Sequence, residues 1–160
     1  MKSLSLLPLL KWLSDTGFGR YVRHSSAAVP VAGNFHLLSW VVLVGVVLVV
    51  NFSALGLAIK VPRPSQVARE LWPYFVVSLL LAAGTGLVLV VSNAVSYYFN
   101  PVFRTKLAFL LLAASLLTLL FRHLKGLGDR SVALRWRVLA GTNLVLWFGT
   151  LIAGRVTGLF

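Results

Sequence analysis

Four ionisable side chains lie within or at the edge of long apolar stretches: His36, Arg104, Lys106 and Arg155. Placing a charge in hydrocarbon costs about 2.5 to 3.5 kcal/mol even on lenient scales, so residues of this kind usually have a reason to be there. No acid within the stretches balances them, since the three acids of the chain are Asp15, Glu70 and Asp129. Cations gathered without a counter-charge attract an anion. If the apolar stretches are antiparallel helices, all four residues fall at the same end of the bundle, near Trp40, Tyr97 and Tyr98, with Arg23 and His24 just outside. The expected ligand is an anionic amphiphile. Candidates are a lipid phosphate, a quinone held through its carbonyl, or the propionates of a haem b whose iron would take His36 as its metal ligand. The competing reading has the three cations extending to headgroup phosphates while His36 makes a helix–helix hydrogen bond.

Other chemistry is poorly supplied. A haem held by two histidines is disfavoured, because His123 belongs to the opposite end of its helix and only His24 could join His36. One methionine and no cysteine argue against a copper(I) relay and exclude thiolate sites and disulfides. No phosphate-binding glycine loop, zinc motif, serine elbow or paired carboxylate is present. No residue is therefore assigned a catalytic role, and the sequence points away from an enzyme. The formal charge of +12 would suggest nucleic acid in a soluble protein. Here the basic residues occupy short segments flanking apolar runs, where anionic lipid attracts them, so nucleic acid is not an expected partner.

These residues need a scaffold, and composition dictates its kind. Of 160 residues 59% are hydrophobic and 11% charged, too few charges to cover a water-facing exterior. Lipid permits only structures that satisfy their own backbone, which for such apolar runs means helices. The fold class expected is all-α: a four-transmembrane-helix bundle with an amphipathic interfacial helix over residues 4–14, forming one membrane domain over 1–160. The spans are placed at about 36–59, 72–98, 102–121 and 138–159. The breaker Val61-Pro62-Arg63-Pro64 follows the first, and Asn100-Pro101 makes a tight turn before the third. No internal proline is expected within a span. Small and hydroxyl residues form one seam per helix, including Ser78, Thr85 and Ser92 in the second span and Ser115 and Thr118 in the third, which suggests that these two spans pack through them. Four crossings put both termini on one side, the terminal side, and the loops around Arg63 and Arg130 on the other. With Lys106 and Arg155 set aside as lying within spans, eight basic residues flank the loop side against five on the terminal side, an excess that favours loops in the cytoplasm and both termini outside.

The order of these features resembles a family of small bacterial four-helix membrane proteins grouped only as a domain of unknown function. The resemblance is carried by RYVRHSS through FHLL, by ALGLA, by the hairpin TGLVLVVSNAVSYYFNPVFRTKLAFLLLA and by LWFGTLIAGR. It implies the four-span topology and a bacterial inner membrane, and brings no activity with it. The family's expected Tyr-Pro before the histidine reads Val29-Pro30 here, and its Asp-Leu-Arg reads Asn51-Phe52-Ser53. A fainter likeness to copper-resistance membrane proteins lacks soft ligands to support it. The leading functional expectation is a non-catalytic subunit of a larger or homo-oligomeric membrane assembly, with membrane lipid and other membrane subunits or itself as partners. A haem- or quinone-binding electron-transfer module is the alternative, and a small permease the third.

Overall fold

A computed structural model describes residues 7–57, 63–128 and 130–157. Every regular element among them is a helix: α1 Leu7–Asp15, α2 Gly17–His24, α3 Ala28–Leu55, α4 Pro64–Ser92, α5 Ala94–Phe99, α6 Pro101–Leu127 and α7 Leu134–Thr157. The protein is a helical bundle in which α3, α4, α6 and α7, of 28, 29, 27 and 24 residues, are long and apolar enough to span a membrane. At about 1.5 Å per residue each exceeds a hydrocarbon core of about 30 Å, so their ends reach the headgroup layers.

The helices differ from the expected spans for reasons of local chemistry. α3 starts at Ala28 and α4 at Pro64, both earlier than the expected spans; in α4 the helix keeps its hydrogen bonds while its side chains turn polar over Ser65, Gln66, Arg69 and Glu70. Pro64 occupies the first turn of α4, where its missing N–H is harmless. The second span does not run through to Tyr98: the chain breaks at Asn93, and Tyr97 and Tyr98 belong to the short α5. The expectation of no internal proline is corrected, since Pro73 lies inside α4 and deprives the Arg69 carbonyl of its helical donor. Asn100 caps α6, its Oδ1 accepting from the backbone N–H groups of Val102 and Phe103 at 2.9 and 3.1 Å. The expected interfacial helix is α1 within the described residues, and α2 extends it. Ser14 at the end of α1 donates to the carbonyl of Val91 at 3.3 Å, fixing this N-terminal pair against the end of α4.

Around the bundle α3 lies beside α4, α4 beside α6, α6 beside α7 and α7 beside α3, while α3 and α6 also touch across the diagonal. Leu43, Val47 and Val50 of α3 meet Phe75 of α4, Leu117, Leu120, Phe121 and Leu124 of α6 and Trp147 of α7 in one core. The outward faces carry exposed Leu38, Val41, Leu80, Leu111, Val145 and Ile152, suited to a lipid solvent. The polar seam of the third span is corrected: Ser115 is exposed and donates to the Leu111 carbonyl of its own helix. Thr85 faces α3 instead of α6. In α7 the polar residues do turn inward, with Asn143 and Thr150 fully buried. Asn143 binds three helices together, accepting from Asn51 Nδ2 at 3.1 Å and donating to the Ala113 carbonyl at 2.7 Å.

Candidate functional site

His36 and Trp40 stand four residues apart on α3 and so share a face. The indole N–H of Trp40 donates to His36 Nε2 at 3.0 Å. Because an indole nitrogen can only donate, Nε2 must be the acceptor, and the imidazole proton sits on Nδ1. That proton is donated to Thr85 Oγ1 on α4 at 3.1 Å. The Thr85 hydroxyl in turn donates to the Leu81 carbonyl at 2.6 Å. Imidazole, indole and hydroxyl thereby form one directed chain between α3 and α4. Gly86 makes room for it: a Cβ there would lie 3.1 Å from His36 Cε1, tighter than the ring could accept without shifting.

Lys106 of α6 completes the arrangement from across the diagonal. Its ammonium lies 5.7 Å from the centroid of the Trp40 ring, within cation–π range. The edge of the same indole meets Trp147 of α7 at 5.8 Å. Gly154 of α7 borders the lysine, since a Cβ there would come within 3.5 Å of Nζ. Lys106 is thus half-buried at the mouth of the bundle with contributions from all four long helices nearby. Among the described residues no carboxylate or hydrogen-bond acceptor reaches its ammonium. Asp15, the acid at this end, lies 3.8 Å from Arg23.

Of the residues singled out from the sequence, His36 and Lys106 are joined through Trp40, and the others stand apart. Arg104 and Arg155 are exposed. Arg104 precedes Lys106 by two residues, which at about 100° per residue turns it to nearly the opposite side of α6. Tyr97 packs on Phe103 at 4.9 Å and Tyr98 on Phe99 at 5.0 Å. No hydrogen bond, ion pair or ring contact links these four to His36 or Lys106 among the described residues. Axial ligation of haem iron by His36 would need one of its two hydrogen bonds broken. No group of three metal-binding side chains occurs among the described residues. Thr85 and Gly154 belong to the site although the sequence marks them only as packing residues, and Gly86 carries no signal in the sequence at all.

The chain matches, over residues 9–160, the model of a family described as "Family of unknown function (DUF6644)". It belongs to that family. The matched region includes the whole mouth and the Asn51–Asn143 layer, and agrees with the resemblance to an uncharacterised family read from the sequence. No link to copper-resistance proteins emerges, and no curated protein or solved structure matches the chain.

Proposed function

We propose that this DUF6644 protein is a non-catalytic membrane subunit, of a larger or homo-oligomeric assembly in the bacterial inner membrane, that holds an anionic amphiphile at its terminal side. The observation that carries this reading is the Lys106 ammonium, half-buried against Trp40 without a counter-charge. A charge held there is stabilised only partly by a ring face, and a phosphate or carboxylate headgroup supplies the missing hydrogen-bond acceptors. The directed chain through His36 and Thr85 fixes the indole that carries the ammonium, so these residues position the site without offering the bound group a free nitrogen. With both imidazole nitrogens engaged, the geometry favours a headgroup over haem. The excess of basic residues on the loop side supports termini outside.

The test is retention of endogenous amphiphile by protein purified in mild detergent and weighed intact by mass spectrometry. A headgroup bound through a charged hydrogen bond contributes roughly 1.5 to 3 kcal/mol, so Lys106→Gln is expected to lower occupancy about tenfold or more. Arg104→Gln, on the other side of the helix, should leave it unchanged. Equal retention by Lys106→Gln, or a Soret band that His36→Ala removes, would reject the reading.

A further inference from the structure

At the loop-side end a second gathering of cations stands apart from Lys106. Arg69 and Trp72 are three residues apart on α4 and share a face. Arg69 Nη2 donates to the backbone carbonyl of Lys125 on α6 at 3.2 Å. The Lys125 ammonium lies 4.1 Å from the centroid of the Trp72 ring. Two full charges are therefore tied into one notch between α4 and α6, one by a carbonyl and one by a ring, and neither partner neutralises them. Glu70, the next residue along α4, accepts from Gln66 Nε2 at 2.8 Å, and no ion pair reaches Arg69 or Lys125 among the described residues. Trp72 is braced from behind by Phe121, edge to face at 5.2 Å, and by Phe75 at 5.8 Å. The ring, and the ammonium on it, are held in place by the core itself.

We infer that the Arg69–Trp72–Lys125 notch is a docking surface for the headgroup of an anionic membrane lipid. Charge complementarity selects the occupant: a phosphodiester offers acceptors to both cations, and tryptophan near the end of a spanning helix sits at headgroup depth. An acidic protein segment would satisfy the charges equally but would have to reach a surface already facing lipid. The attraction of one lysine or arginine to an anionic bilayer surface corresponds to about fivefold in binding.

The test uses the full chain carrying Lys106→Gln, so that the terminal-side site is silenced and its success or failure does not enter the result. Protein from vesicles of equal parts phosphatidylcholine and phosphatidylglycerol is extracted in mild detergent and its retained lipid weighed by native mass spectrometry. Phosphatidylglycerol should be enriched, with the enrichment falling about fivefold in Arg69→Gln and about 25-fold when Lys125→Gln is added. The charge-conserving pair Arg69→Lys with Lys125→Arg should keep it, which separates lost charge from lost fold. Absence of enrichment, its survival in the neutral pair, or equal loss in the charge-conserving pair would each overturn the assignment. Retention of an acidic polypeptide in place of lipid would overturn it as well.

Discussion

Single residues show how differently buried polar groups act when they have partners and when they lack them. Asn143 is fully buried and bonded to both Asn51 and Ala113, so removing it leaves the buried Asn51 amide with only its bond to the Val47 carbonyl of its own helix among the described residues. Asn143→Leu is expected to destabilise the bundle by about 1 to 3 kcal/mol, read from denaturation in mixed micelles. Adding Asn51→Leu should recover part of that loss, because the under-satisfied amide goes too; a further loss of similar size would show that the amide was not the cause. Trp147 is the opposite case, since its buried Nε1 lacks a hydrogen-bond partner among the described residues. Trp147→Phe keeps a ring against Trp40 and removes the stranded donor, so stability should stay level or rise by about 1 kcal/mol. The sequence revealed His36 and Lys106 because charge in an apolar stretch is conspicuous. It suggested Arg104 and Arg155 by the same reasoning, although a two-residue offset from Lys106 already separates Arg104 from the site. Sequence places Trp40 near these residues but not its bond to His36, because indole gives no sign in sequence of which N–H bond it will make.

At the scale of elements, the four long helices were legible because hydropathy reports directly on the solvent a helix can face. Their inward sides were less so. Ser115 and Thr118 bond to the carbonyls of Leu111 and Ala114 on their own helix, so their hydroxyls need no neighbour and can face outward. The true inward side of α6 is Ala113, Leu117, Leu120, Phe121 and Leu124, apolar residues that lipid would accept equally well. Where a polar signal does mark an element boundary, it is readable and testable. Asn100 was recognised as a turn residue and serves as the cap of α6. Asn100→Ala should cost about 1 kcal/mol of stability and Asn100→Asp much less, both measured by the same denaturation series. Equal losses in the two variants would mean that the side-chain acceptor is not what starts the helix.

For the whole molecule, a bundle whose last helix α7 crosses the membrane places the residue after α7 and the turn before it in different compartments. Reporters fused beyond Thr157 and inserted beside Arg130 should therefore give opposite signals, and matching signals would reject the bundle's topology. The helix order has a further consequence for how the chain is assembled. Of the four long helices α3 and α4 leave the ribosome first and can enter the membrane as a hairpin, but Asn51 then lacks Asn143, which arrives with the last helix. Its amide retains the Val47 carbonyl of its own helix, at 2.7 Å, while Asn51 Oδ1 has no hydrogen-bond partner among the described residues even in the finished bundle. The early hairpin is thus a half-satisfied intermediate, the sort of species that membrane quality control recognises by an exposed polar face. Synthesis of α7 would end that vulnerability, so truncation before Leu134 should shorten the lifetime of the nascent protein in cells, and Asn51→Leu should lengthen that of the truncated chain.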